Sequence, residues 1–134
     1  ILGQGESSRL KRGIRDDQQL ATSIGAYNSS SVWTEGYFAI TAEPSDREAS
    51  LDQLKAAILA EVARLRDQPV SQEELDRAKR KVLSDIAQNN QTAEDVASTL
   101  AWEVISLGEH GYLKRYANAV QSLTPAKLQA AAQR

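Results

Sequence analysis

The chain has no cysteine, no methionine and a single histidine, His110. Without cysteine there is no disulfide framework, zinc ribbon, iron–sulfur site or thiol nucleophile. One imidazole excludes any site that needs two from within this chain, and a Ser-His-Asp arrangement would have to use His110. Neither sign of charge dominates. Sixteen basic against eighteen acidic residues leave −2, which offers no general attraction to nucleic acid or to an anionic membrane. No apolar run approaches the ~18 residues of a membrane span, so membrane insertion is not expected. What is present, 41% apolar and 25% charged residues, is the balance of a globular domain rather than a disordered chain. A 14.7 kDa chain folded as one compact unit would expose roughly 6,900 Å² and bury about two-thirds of its unfolded surface. The start at Ile1, without an initiator methionine, reads as a segment of a longer protein.

Periodicity predicts an α+β order, strands first and helices after. Gly3 and Gly5 punctuate a turn. Ser7 and Ser8 offer N-cap hydroxyls to a short helix near 7–15, with Leu10 and Ile14 on one face. From Leu20 the period becomes two, with Leu20, Thr22, Ile24 and Ala26 on one side. Strands are expected near 20–28 and 33–42, joined antiparallel across Asn28 to Ser31. Tyr27, Trp33, Tyr37 and Phe38, four of the seven aromatic side chains, fall in this region. Two strands alone are marginal in water, so further sheet partners are expected from elsewhere.

Helices are expected near 46–67, 72–89, 93–107, 112–121 and 125–133. Ser45 with Glu48, and Ser71 with Glu74, have capping-box spacing, and Thr92 with Asp95 marks a fresh start. The apolar stripe of the first of these helices is Leu51, Leu54, Ile58, Val62 and Leu65. The next places Leu75, Ala78, Val82 and Ile86 inward, with Glu73–Arg77 and Asp76–Arg80 pairs along its surface. The helix carrying Val96, Leu100, Trp102, Val104, Ile105 and Leu107 is apolar on two sides and is expected to be buried on both. Gly108 and Gly111 bracket a turn, and Thr124-Pro125 opens the last helix. No internal repeat or low-complexity segment is found.

Candidate chemistry is sparse. Ser106 to His110 ends like the zinc motif H-x-x-E-H but carries serine in the first ligand position, so no metal site is assigned. No serine sits in a Gly-x-Ser-x-Gly elbow. The Gly3–Gly5 turn lacks the third glycine of a dinucleotide fingerprint and the Lys-Ser/Thr of a P-loop. Bases at 77–81 are offset by the acids before them and read as a solvated face. Arg9, Lys11, Arg12 and Arg15 are less balanced. Arg15 could bind a substrate carbonyl or carboxylate, or pair locally with Asp16 or Asp17, and composition alone favours the local pairing.

Several segments, taken in order, resemble one family. Ile1-Leu2-Gly3-Gln4-Gly5-Glu6-Ser7-Ser8-Arg9-Leu10 followed by Ile14-Arg15-Asp16-Asp17-Gln18-Gln19-Leu20-Ala21 is similar to the Leu-Gly-x-Gly-x-Ser-Ser-Arg-Leu … Leu-Arg-Glu-x-x-Gly-Leu-Ala-Tyr signature of pitrilysin/insulinase-type zinc metallopeptidases. That inverzincin family includes the mitochondrial processing peptidases. Gly36 to Ile40 resembles its second strand, Val70 to Lys79 its Ser/Thr-x-x-Glu-Leu-x-x-Ala-Lys helix, and Leu123-Thr124-Pro125 its closing segment.

The resemblance implies a clamshell of homologous α+β modules, one holding the H-x-x-E-H zinc site and a later, zinc-less one closing over the substrate. Residues 1–134 resemble a single module of the later, C-terminal type, lacking its opening strand and most of its first helix. The implied function is a non-catalytic, substrate-clamping module of a zinc metalloendopeptidase. Its partners would be a peptide substrate and a catalytic H-x-x-E-H module, in cis or in trans. The implied alternative is a pseudo-peptidase scaffold with no part in chemistry. No cofactor is expected in this segment, with zinc in the partner module and no catalytic residue here. In the family's zinc-less module an Arg, and a Tyr seven residues later, hold the substrate backbone and stabilise the oxyanion. Arg15 falls on that Arg, which reverses the preference for local pairing. Thr22 stands at the Tyr position with a shorter hydroxyl, and Gln19 replaces a family Gly. The compartment stays open, with the bacterial periplasm favoured.

Overall fold

A computed structural model describes residues 1–30, 33, 35–45 and 51–133. Six helical segments and one antiparallel strand pair follow the expected order among the described residues. The chain divides into two units, residues 1–70 with 128–134, and residues 71–127.

The first unit is built on a close approach between the opening turn and a strand. Strands β1 (Ala21–Ser29) and β2 (Tyr37–Pro44) pair antiparallel from Ala21 opposite Pro44 to Ser29 opposite Tyr37. The second strand therefore begins at Tyr37 rather than at Trp33. The backbone of Gly3 lies so near β1 that a Cβ there would stand 2.2 Å from the Ala26 amide nitrogen. Only glycine fits. The Gln4 side-chain amide donates to the Ala26 carbonyl at 3.0 Å, and Gly5 takes the left-handed backbone (φ 84°) that redirects the chain.

The short helix expected near 7–15 is a π-helix over Lys11–Asp17, entered through Leu10. Its wider turn still places Leu10 and Ile14 on the buried side, where they form the core with Ala21, Ile24, Ala26 and Leu54. No side chain caps the entry at Leu10, and the Ser8 hydroxyl is buried without a hydrogen-bond partner, so the predicted serine cap is not made. Gly13 faces α1 without a steric need for glycine. A Cβ at that position would meet the Glu61 carboxylate only at 3.5 Å, an ordinary contact.

Helix α1 (Leu51–Asp67) packs on the π-helix. Glu48 and the first residues of the predicted 46–67 helix lie outside the described residues, while the Ser45 hydroxyl is buried without a hydrogen-bond partner. The inward stripe is displaced from the predicted one. Leu54, Ala57 and Ile58 turn inward, Leu51 is 70% exposed, and Glu61 is buried with its carboxylate 2.6 Å from Arg64 Nη1.

In the second unit, α2 (Gln72–Gln88) opens on Ser71, whose hydroxyl accepts from the Glu74 amide at 3.1 Å. The Glu73–Arg77 pair forms at 2.6 Å. The Asp76–Arg80 pair does not, and Asp76 instead accepts from Gln72 at 2.8 Å. Thr92 and Asp95 complete a reciprocal capping box at the start of α3 (Ala93–Leu107), which Gly108 ends in the left-handed region.

Helix α4 (Tyr112–Gln121) is held at both ends by charge of the sign its dipole favours. The buried Glu103 carboxylate accepts from the Gly111 and Leu113 amides at 2.5 and 2.6 Å. At the other end Lys79 Nζ donates to the carbonyls of Gln121 and Leu123 at 3.0 and 2.6 Å. The last helix, α5 (Pro125–Ala132), starts where the Thr124 hydroxyl accepts from the Lys127 amide.

The most apolar helix is not buried as expected. On α3 the side chains of Val96, Leu100, Trp102, Val104 and Ile105 are exposed, while the residue inside is Glu103, at 2% exposure. The capping geometry decides this, because the face aimed at α4 carries the carboxylate rather than the aliphatic stripe.

Candidate functional site

Arg15 lies in the last turn of the π-helix, where a cation complements the partial negative charge of the helix end. Its side chain is 29% exposed. Nε donates to Asp16 Oδ1 at 2.7 Å, with a weaker contact from Nη2 to Asp16 Oδ2 at 3.4 Å. Nη2 also donates to Glu6 Oε2 at 2.9 Å. The other Glu6 oxygen accepts from Lys11 Nζ at 2.7 Å. The hydrogen bonds that Arg15 donates to Asp16 first, then to Glu6, raise its pKa above the ordinary value. The Lys11 and Arg15 hydrogen bonds lower that of Glu6. Local pairing is thus present, but only part of it comes from a neighbour in sequence. Nη1 donates no hydrogen bond among the described residues.

Thr22 occupies the extra position of a β-bulge. Ala21 stands opposite Pro44 and Ser23 opposite Glu43, which leaves Thr22 unmatched. The bulge breaks the alternation read from the sequence: Ala21 becomes buried and Thr22 exposed, while Ile24 and Ala26 stay inside. The Thr22 hydroxyl donates to the Glu43 carbonyl at 3.4 Å. No hydrogen bond joins Arg15 to Thr22 among the described residues. Each has its own partners. Gln19 adopts φ 54°, a left-handed backbone that a glycine would take without strain.

Next to this corner an open groove of about 610 Å³ is lined by Gln18 and Leu20 and by Gln53, Ala56, Ala57 and Ala60 of α1. Its lining holds amides and small apolar groups, and no charged side chain. It offers space without a reactive group.

Zinc does not fit the residues present. No group of three His, Cys, Asp or Glu residues comes together among the described residues. Glu109 is paired with Arg115, and the Ser106 hydroxyl is buried without a hydrogen-bond partner. His110 stands in the turn after α3, and the Glu103 carboxyl beside that turn has its pKa lowered by backbone amide hydrogen bonds. The Leu113 amide contributes most, burial opposes it, and the Gly111 and Tyr112 amides add to the lowering.

Residues 1–82 match the family described as the peptidase M16 inactive domain. The chain belongs to this family. The match covers the segment that carries Glu6, Arg15 and Thr22. An uncharacterised zinc protease of Rickettsia bellii (strain RML369-C) is 38% identical over 86 residues, or 64% of this chain and 20% of that protein. The chain therefore spans about a fifth of the length of this curated relative. The inactive peptidase domain of a candidate zinc protease from Bordetella parapertussis is 25% identical and superposes with a TM-score of 0.80, covering 99% of this chain and 70% of that one. A Helicobacter pylori protease has the same fold, with a TM-score of 0.83 at 23% identity over 98% of this chain and 31% of that one.

Membership in the M16 inactive-domain family accounts for the mixed helix-and-strand fold and for the Leu-Gly-x-Gly opening. In this structure that opening is the segment whose glycine touches β1. Among the site residues, sequence reasoning missed Glu6. It stands at a variable position of the signature, and its two cationic partners lie five and nine residues away. No helical or strand spacing signals such a contact.

Proposed function

We propose that this M16 inactive domain is the substrate-clamping module of a zinc metalloendopeptidase, with zinc and general base supplied by a catalytic H-x-x-E-H module. Arg15 would donate from its guanidinium to the backbone carbonyl of a bound peptide. When that carbonyl becomes an oxyanion, a fixed cation stabilises the developing charge more than the neutral ground state, and this difference accelerates the reaction. The observation that carries the reading is the state of Arg15. Two carboxylates hold it on a rigid helix end, and its Nη1 amino group is not used by the described residues. The test is peptide hydrolysis by the full-length protein with its catalytic module. Arg15→Ala lowers turnover by ~10²-fold if Arg15 is an oxyanion group. An unchanged rate removes it from the mechanism.

A scaffold role without chemistry is the second reading, and Thr22 favours it. A threonine hydroxyl at the family's Tyr position is engaged with its own partner strand. Thr22→Tyr separates the two. A gain in turnover supports a weakened clamp, and no change supports a scaffold.

A further inference from the structure

The chain Lys11–Glu6–Arg15–Asp16 alternates in charge, and its contacts are 2.7, 2.9 and 2.7 Å. Glu6 is the link that does not come from the π-helix or the residue beside Arg15. It rides on the opening turn, whose backbone is fixed in three ways. Gly3 abuts the Ala26 amide, the Gln4 amide bonds the Ala26 carbonyl, and Gly5 takes its left-handed conformation. Further bonds join the turn to the helix entry, from the Leu10 amide to the Leu2 carbonyl and from the Arg9 amide to the Ile1 carbonyl, each at 3.0 Å. A carboxylate on so constrained a loop has little freedom to follow a moving guanidinium. It defines where the guanidinium rests.

We propose that Glu6 is the positioning residue for Arg15: bridging Lys11 and Arg15, it works with Asp16 to hold the guanidinium in one orientation, with Nη1 left for a peptide carbonyl. This rests on the clamping role of Arg15. Asp16 takes Nε, which fixes the plane of the guanidinium on one edge. Glu6 takes Nη2, which stops rotation about the last side-chain bonds. Lys11 supplies the second bond that keeps Glu6 from swinging into solvent, to which it is 75% exposed. An exposed ion pair of this kind adds little to folding stability. Its value lies in preorganisation, since a donor that is already aimed need not be reordered when the oxyanion forms.

The experiment is steady-state peptide hydrolysis by the full-length protein, with the wild type, Glu6→Gln, Arg15→Ala and the double variant in parallel. Glu6→Gln keeps the size of the side chain and removes its charge. It is expected to lower kcat roughly 10-fold with little change in KM, the pattern of a misaimed transition-state contact. The melting temperature should stay within about 2 °C of wild type. In the Arg15→Ala background the same substitution should cost nothing further. An equal loss in that background would mean that Glu6 acts on the structure and not through Arg15, and would overturn the proposal. So would a wild-type kcat for Glu6→Gln alongside a deficient Arg15→Ala, and there the clamping role would stand. A wild-type rate for Arg15→Ala would remove the clamping role and the positioning role together.

Discussion

Gly3→Ala tests whether the opening turn is built on its contact with β1. The added Cβ would stand 2.2 Å from the Ala26 nitrogen, 2.5 Å from its Cβ and 2.8 Å from its Cα. Ordinary contact needs about 3.5 Å, so turn and strand must part by roughly 1.3 Å. The strand is poorly placed to yield, because Ala26 is buried and paired in register with Ile40. The turn must therefore move, and with it the Gln4 bond to the Ala26 carbonyl. Overpacking costs about 1–3 kcal/mol and the lost hydrogen bond about 1 kcal/mol, together ~3 kcal/mol. For a domain of this size each kcal/mol is worth roughly 3–5 °C, so the melting temperature should fall by ~10 °C. Thermal unfolding followed by circular dichroism reads this directly. Gly25→Ala is the control on the same strand. The nearest atom to its Cβ would be the Gly3 carbonyl oxygen, at an ordinary 3.8 Å. It should be neutral or gain about 0.5 kcal/mol from reduced backbone freedom. A Gly3→Ala protein that melts within about 2 °C of wild type would refute the argument that this contact requires glycine.

Leu10→Ala, at a fully buried position under the π-helix, should cost about 2–5 kcal/mol, measured by denaturant titration. Thr92→Ala removes the hydroxyl half of the α3 capping box and should cost about 1 kcal/mol in the same assay. Glu103 predicts a pH dependence. Amide hydrogen bonds hold its folded pKa below the ordinary 4.5, so the folded state releases this proton more readily than the unfolded chain. Its stabilising contribution is then complete above about 4.5 and is lost as pH falls through the lower folded value. Glu103→Gln should destabilise the protein at neutral pH and flatten the acid limb of its stability curve, as read from melting temperatures across that range. An unchanged acid limb would assign the acid sensitivity to other carboxylates.

Much of the fold was legible from local patterns. Ser71 and Thr92 mark helix starts because a cap acts over three residues, and Gly108 marks a stop because an αL residue acts on its own helix end. Leu10 and Ile14 were placed on one face because four residues bring a side chain back to the same side, and the widened π turn puts that face inside. The stripes of α1 and α3 were misread for a related reason. Periodicity shows which residues share a face, but what lies opposite decides whether that face is covered. Glu61 and Glu103 are buried where the sequence pattern pointed to leucine and valine, because each carboxylate has a partner that periodicity does not register.

By itself the sequence determined the element order, the family resemblance in its opening and Ser71 segments, and the absence of cysteine and of a second histidine, all properties carried by composition or by residues a few positions apart. Tertiary structure decided the rest. The Gly3–Ala26 approach, the bulge that turns Thr22 outward and the Glu6 bridge onto Arg15 join residues between 9 and 23 positions apart. Such contacts arise when β1 and the π-helix close over a shared core. Their geometry depends on how several elements pack at once, which no short-range pattern encodes.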